Sequence, residues 1–513
     1  MSPPPFPGPS GAPAPADRPA SSIARSDQPP PLASGAAGPR ALRPLLDAVL
    51  IALGEGAAAR GGPLPSGGPE VVADRLVARC GPVLPEEGGG AEEALGTLVR
   101  ALAEGAADPA DPLCTAHLHC PPLAVAAVAD FAASVLNPSM DSWDQAPAAS
   151  ALEARTTRAL AALVHPAGPE PDALVTTGGT EANQLGVLLA RERGAGSGGE
   201  GAARPLRVVH GTNAHHSVAR AAWLLGLPPA LPVAAPRGVL DPAALARALD
   251  ALTGEPVLVV ATAGTTDTGA VDPLPAIADL AVARGARLHV DAAYGGPLLF
   301  SATRRGLLDG LERADTVALD LHKLGWQPAA AGLLTAPDAA DLAALHHRAP
   351  YLNAEDDTEA GLPDLLGRSL RTTRRPDILK IAVTLRALGR SGMAALVDAA
   401  CAAAGRLAGQ VLAEPRLELY AEPTISTVLF RPVGAGDQEV AMIRRRLLHE
   451  GTAVLGRARV PDRDGSGAER LWLKATVLNP RAGADATAGL LKLCRLYTSE
   501  AADDLIGVNL LGR

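Results

Sequence analysis

Aromatic residues make up only 2% of this 513-residue chain, so its core must be built mainly from Ala, Val and Leu. Lysine is scarcer still. Four occur, Lys323, Lys380, Lys474 and Lys492, within a Lys+Arg total of 46. Basic charge is therefore carried by Arg almost everywhere. A position that keeps Lys is either a plain surface residue or one that needs an amine, which unlike guanidinium can lose its proton and attack a carbonyl. Five cysteines are scattered without a CxxC pair. That pattern predicts reduced thiols, no structural zinc and a cytoplasmic home. The N-terminus "MSPPPFPGPSGAPAPADRP" lacks the apolar region of a secretory signal. No apolar stretch approaches the ~20 residues needed to span a membrane. The formal net charge of −9 argues against nucleic acid and acidic membrane surfaces as partners.

What is present divides the chain by composition. Residues 1–40 are rich in Pro, Ala, Gly and Ser and are expected to be a disordered tail. Residues 41–115 read as a helical arm with Gly/Pro-rich breaks at 61–69 and 81–90. From 116 to 395 short apolar runs alternate with helical patterns. "DALVTT", "PLRVVHG", "PVLVVATAG", "RLHVDAA" and "DTVALDLH" read as buried strands, and 180–193 and 273–285 as helices between them. Such alternation predicts βαβ units in a mostly parallel sheet covered on both faces. Residues 396–493 open with an Ala-rich helix. They continue with the strands "STVLFRP" and "LWLKATVL" around a helix at 438–450, the pattern of a small α+β domain. Residues 494–513, "CRLYTSEAADDLIGVNLLGR", read as a non-native tail.

Polar residues gather at the expected strand ends, where open α/β sheets bind ligands. In "TTGGTEAN" a strand ends, two glycines follow and a helix opens at Thr180. Glycines let backbone amides approach a phosphate, and a helix N-terminus favours its charge; alone, the pattern is more often a plain turn. In "NAHHSVARAA", His215 and His216 precede a helix, as caps or as a ring-stacking group. Asp291 closes the apolar strand of "LHVDAAYGG". A buried carboxylate there needs a partner, either a neighbouring Arg or a cationic ring nitrogen. Lys323 follows the next strand, in "ALDLHKLGWQP". Together the four groups meet the needs of pyridoxal 5'-phosphate: an anion site, a flat group to stack on, a carboxylate for the ring nitrogen and an amine for the aldehyde.

Longer segments carry a resemblance. "TTGGTEANQLGVLLAR", "AHHSVARAAWLLGL", "ATAGTTDTGAVDPLPAIADLA", "HVDAAYGGPLLFS", "ALDLHKLGWQPAAAGLL", "TRRPDILK" and the stretch 116–153 occur in this order across roughly 100–490. The chain resembles the pyridoxal-phosphate-dependent group II amino acid decarboxylases, which have the aspartate aminotransferase (fold type I) architecture. The resemblance implies an α/β fold with a mostly parallel central sheet and a small C-terminal α+β domain. It implies a homodimer with active sites at the interface. It implies that Lys323 bonds the cofactor, Asp291 pairs with the ring nitrogen and His215 stacks on the ring. Gly179 and Thr180 would hold phosphate, Thr266 and Ala293 would line the cofactor, and His322 would flank it. An aminotransferase or carbon–sulfur lyase on the same fold would need the same groups, and a cofactor-binding scaffold without turnover would keep them too. The "HHS" and "DLHK" contexts are closer to decarboxylases.

Two departures stand out. Many members have Trp directly after the lysine; here Leu324 stands there and Trp326 two places on, which the resemblance places on the pocket wall. Some decarboxylases deliver a proton to Cα from a loop Tyr, but 353–369 contains none; Tyr351 precedes it, with His346 and His347 earlier.

"AHLHCPP", "LNPSMDSWDQAP" and "GRSLRTTRRPDILK" resemble one branch, that of L-2,4-diaminobutyrate decarboxylases and the L-lysine decarboxylases of hydroxamate siderophore pathways, with "DLHKLGWQP" leaning to lysine. L-lysine, giving cadaverine, is the expected substrate; diaminobutyrate, glutamate or an aromatic amino acid are the alternatives. A diamino acid pocket should offer oxygens to the distal ammonium. Asp141 and Asp144 are the candidates, with His119 and Cys120 near the entrance; each aspartate could equally cap a helix or pair with Arg.

Overall fold

In the computed structural model, residues 30–195, 204–347, 349, 352–462 and 468–494 are described. Three helices come first: α1 (Gly38–Arg60), α2 (Gly68–Cys80) and α3 (Ala91–Gly105). Helix α1 begins inside the stretch assigned by composition to the tail. Helices α4 (Ala124–Leu136) and α5 (Pro147–Val164) lead into the first strand.

The large sheet has seven strands: β1 (Asp172–Thr176), β2 (Arg207–Gly211), β3 (Leu231–Val233), β4 (Val257–Thr262), β5 (Arg287–Ala292), β6 (Thr316–Asp320) and β7 (Gly332–Ala336). Their order is β1-β7-β6-β5-β4-β2-β3. Strands β2 to β6 pair in parallel, whereas β7 runs antiparallel to both β1 and β6. Every residue of β1, β4, β6 and β7 is buried. A strand covered on both faces has no polar side, which is why these segments read as unbroken apolar runs. Helices α6 (Gly179–Ala195), α7 (Ser217–Leu224), α8 (Pro242–Asp250) and α9 (Leu274–Ala283) supply the connections.

After the short α10 (Glu355–Glu359), helix α11 spans Ile378–Leu412. The domain boundary expected at 395–396 falls inside it. By length and composition α11 is long and apolar enough to cross a membrane, contrary to the expectation of no such stretch, because Lys380, Arg386, Arg390, Asp398 and Arg406 punctuate its apolar residues. Gly389 breaks its helical geometry at φ 64°. Ile381, Val397 and Ala400 enter the core of the large domain, and Ala404, Leu407 and Val411 that of the small one.

The small domain is a four-stranded antiparallel sheet, β10-β11-β9-β8, formed by β8 (Leu417–Leu419), β9 (Thr427–Pro432), β10 (Gly456–Pro461) and β11 (Glu469–Thr476), with helix α12 (Asp437–Glu450). Tyr294 joins the two domains: its buried hydroxyl bonds Ser426 Oγ at 2.8 Å and Thr427 Oγ1 at 3.0 Å. Within the large domain, a fully buried ion pair joins Arg374 to Glu153 through two parallel bonds of 2.6 and 2.7 Å. It fastens the segment before α11 to α5. Residues beyond Cys494, including nearly all of the expected non-native tail, lie outside the described residues, as do residues 1–29.

Candidate active site

The loops that follow β1, β2, β4, β5 and β6 meet at one end of the sheet and enclose a cavity of about 380 Å³. Its walls include Gly179, Thr180, His215, Thr266, Asp291, Ala293, His322 and Lys323. The sequence had placed these eight residues in separate connections; the fold brings them to one space.

The turn after β1 is tight. A Cβ at Gly178 would stand 2.9 Å from His322 Cε1, and one at Gly179 would stand 2.8 Å from Ala293 Cβ. Only glycine lets this backbone pass so close to the neighbouring connections. Helix α6 starts here with its positive end toward the cavity, the arrangement that favours an anion.

Asp291 is the penultimate residue of β5 and is 6% exposed. Its Oδ1 accepts from the amide of Ala293 at 3.1 Å and its Oδ2 from Asn183 Nδ2 at 2.7 Å. The partner expected on structural grounds, an Arg, is not among these contacts. His215 follows β2, and burial pushes its imidazole below the ordinary value, with Asp291 opposing. His216 packs against it with ring centroids 4.1 Å apart.

Lys323 Nζ lies 2.9 Å from Asp320 Oδ2. Asp320 is 1% exposed, and its Oδ1 has no hydrogen-bond partner among the described residues. Thr262 Oγ1 and His322 Nδ1 are orphaned in the same way. Three buried polar atoms on the wall of one cavity, all without partners, mark a space built for a polar occupant, because such groups are costly to leave unpaired. Asp320, Thr262, Thr177, Gly264 and Tyr294 line the cavity and had been given no role. Asp320 was open to the same reasoning as Asp291, a carboxylate closing an apolar strand.

The four residues proposed around a substrate do not line this cavity. His119 is exposed. Cys120 is buried and turns its thiol to the carbonyl of His322 at 3.1 Å; burial pushes that thiol up to about 12. Asp141 accepts from Gln145 at 3.0 Å and Asp144 from Ser142 at 2.6 Å. Both aspartates therefore act as local turn acceptors. Leu324 and Trp326 are also absent from the wall. Both are fully buried in the core, where Trp326 Nε1 donates to the carbonyl of Leu478 at 2.8 Å. Tyr351 lies outside the described residues.

Comparison with known proteins agrees with this geometry. The family described as "Pyridoxal-dependent decarboxylase conserved domain" matches residues 79–433. An L-2,4-diaminobutyrate decarboxylase of Rhizobium meliloti (strain 1021) is 40% identical over 420 residues, 80% of this chain and 82% of the relative. An L-2,4-diaminobutyrate decarboxylase of Acinetobacter baumannii is 33% identical over 435 residues, 79% and 84% of the two chains. Among solved structures, the glutamate decarboxylase domain of a diaminobutyrate-pyruvate transaminase and L-2,4-diaminobutyrate decarboxylase from Vibrio parahaemolyticus superposes with a TM-score of 0.80 at 29% identity, covering 91% of this chain and 98% of that one. The chain belongs to the pyridoxal-dependent decarboxylase family. It is an amino acid carboxy-lyase whose cofactor is pyridoxal 5'-phosphate.

The residues present fit that cofactor. The glycine cradle at the start of α6 could take its phosphate, the anchored Asp291 its protonated ring nitrogen and Lys323 its aldehyde carbon.

Proposed function

We propose that this enzyme decarboxylates L-2,4-diaminobutyrate, releasing 1,3-diaminopropane and CO₂. The observation that carries the reading is the pair of relatives named for that activity, each covering about four-fifths of the chain. L-lysine, the substrate expected from the sequence, is the second reading. It is favoured by the "DLHKLGWQP" stretch around Lys323. The two substrates differ by two methylenes, worth about 1.6 kcal/mol at ~0.8 each, so one site can turn over both with different efficiency.

The bound cofactor supplies an electron sink for the pair left at Cα when CO₂ departs. In our reading Lys323 would hold the cofactor through its amine, at the position the substrate's amine also needs. Asp320, 2.9 Å from Nζ, holds the Lys323 amine in place before the cofactor arrives. Asp291 holds the proton on the ring nitrogen. His215 would stack on the ring, Gly179 and Thr180 would hold the phosphate, and Thr266, Ala293 and His322 would flank the cofactor. The Cα proton does not come from a Tyr of the 353–369 loop, which has none. Tyr294 is equally unsuited: its hydroxyl is spent on Ser426 and Thr427, and burial pushes it up to about 12.

A homodimer is part of the proposal. It is supported by the exposed apolar side chains of the N-terminal helices, among them Leu50, Ile51, Val77 and Leu102. A large exposed apolar surface marks an interaction site. A cytoplasmic setting is proposed from the cysteines, which form no disulfide among the described residues.

The test is competition among L-2,4-diaminobutyrate, L-ornithine, L-lysine, L-glutamate and L-tyrosine, with amines identified by mass. A preference for diaminobutyrate is expected. A preference for glutamate or tyrosine overturns the diamino acid assignment. Sedimentation of the active enzyme as a monomer overturns the dimer.

A further inference from the structure

Behind the cavity wall lie four polar side chains that do not line it: Asn183, Ser217, His289 and Thr316. None is more than 4% exposed. They form one connected set of hydrogen bonds with His215 and Asp291, and the donors in that set can be assigned by elimination.

The backbone amide of Ser217 points at His215 Nδ1 from 3.3 Å. A ring nitrogen that accepts an N–H carries no proton of its own. The Ser217 hydroxyl, 2.8 Å from the same nitrogen, must therefore donate to it. That spends the only proton of Ser217, so its oxygen accepts from Asn183 Nδ2 at 2.9 Å. The same Nδ2 donates to Asp291 Oδ2 at 2.7 Å. The amide carbonyl is then left facing His289 Nε2 at 2.9 Å, and it can only accept. His289 therefore carries a proton on Nε2, and in the neutral ring that burial favours its Nδ1 accepts from Thr316 Oγ1 at 2.8 Å. Every donor meets an acceptor, with Asp291 ionised. Were Asp291 protonated toward Asn183, the amide would have to turn over, and Ser217 would lose its donor or face His215 Nδ1 with a lone pair.

We propose that Asn183 is a positioning residue that couples the two sides of the cofactor site, holding Asp291 as the anion and His215 as the neutral tautomer protonated on Nε2. The proposal rests on the reading that Asp291 and His215 face the cofactor. Burial supports the neutral rings: it drives His289 down to about 4 and lowers His215. The charged and titratable groups acting on His215 are Asp291, Asp320, Lys323 and His216. A neutral ring is the form suited to stacking on a cationic one, since an imidazolium there would repel it. Asn183 sits on α6, whose N-terminus forms the glycine cradle, so one helix serves both the anion site and the relay.

The test uses full-length protein labelled with ¹⁵N-histidine, with and without cofactor, and solid-state NMR at neutral pH. His215 and His289 are both expected as Nε2–H tautomers before any cofactor is added. An imidazolium, or a proton on Nδ1 of either ring, overturns the relay. Asn183→Leu should move His289 toward the Nδ1–H form, which Thr316 can then accept. In the loaded enzyme it should move the pH midpoint of the cofactor's visible band by about one unit, the scale of a lost hydrogen bond to a buried carboxylate. A folded variant with unchanged tautomer and midpoint refutes the proposal. Should Asn183→Leu fail to fold, His289→Gln and His289→Leu decide: Gln still offers an N–H to Asn183 and should keep the parent midpoint, whereas Leu should not. Equal behaviour of the two overturns the proposal. Failure of the parent to develop the visible band would instead count against the site assignment, because the tautomers are read without cofactor.

Discussion

Acid should destabilise this protein through two histidines that folding keeps neutral. His165 closes α5 with its Nε2 3.0 Å from Thr335 Oγ1, and is 1% exposed. His289 lies in β5 and is fully buried. Burial drives both from 6.5 down to about 4. In the unfolded chain each takes up a proton as pH falls through its ordinary value; in the native protein neither does until about pH 4. Between those limits the unfolded state binds more protons, so stability present above the unfolded value is lost on acidification. The loss is about 2 kcal/mol per histidine near pH 5 and about 3 kcal/mol once both states are protonated. That is a large share of the roughly 5–15 kcal/mol by which domains are stable. The assay is urea unfolding followed by tryptophan fluorescence at pH 7.5 and pH 5, for the parent and for His165→Gln. Glutamine keeps a donor and an acceptor but does not titrate. Its direct effect on stability is present at both pH values and cancels in the comparison. The variant should lose about 2 kcal/mol less than the parent between the two pH values. If both lose the same amount, His165 is not held neutral by the fold and the reasoning fails. His289→Gln should behave alike, and the two effects should nearly add, because the residues share no hydrogen-bond partner and only the charge of Asp315 acts on both.

Lys323→Arg should keep the charge beside Asp320 but lose the cofactor's borohydride-sensitive visible band and nearly all turnover; turnover at the parent rate would remove Lys323 from the chemistry. Asp291→Asn should lower the decarboxylation rate roughly a hundredfold or more, on the scale of removing one preorganised electrostatic group. Ordinary turnover in that variant would leave Asp291 with only its structural bonds to Ala293 and Asn183.

The sequence by itself determined five of the seven strands of the large sheet, all but β3 and β7, and the class of chemistry. Strands such as β4 and β6 are buried along their whole length, and a doubly covered strand must be apolar throughout, so "VLVVAT" and "TVALD" are legible without tertiary information. The glycines after β1, Asp291 and Lys323 were legible because each is an unusual residue at a strand end, and because the longer segments around them resemble one family. Strand β7 and its direction were not. Strand β7 is as apolar as its neighbours, and only its place between β1 and β6 makes it antiparallel. The substrate residues chosen from the sequence do not line the cavity, and a related reason made them hard to choose: an aspartate in a turn has the same composition whether it faces a ligand or, like Asp144, a serine two residues away. The relay was beyond reach altogether. Asn183 meets His289 and Asp291 across separations of 106 and 108 residues. A local pattern shows that a residue is polar and buried; only the tertiary structure decides which partner satisfies it, and with that which nitrogen carries the proton.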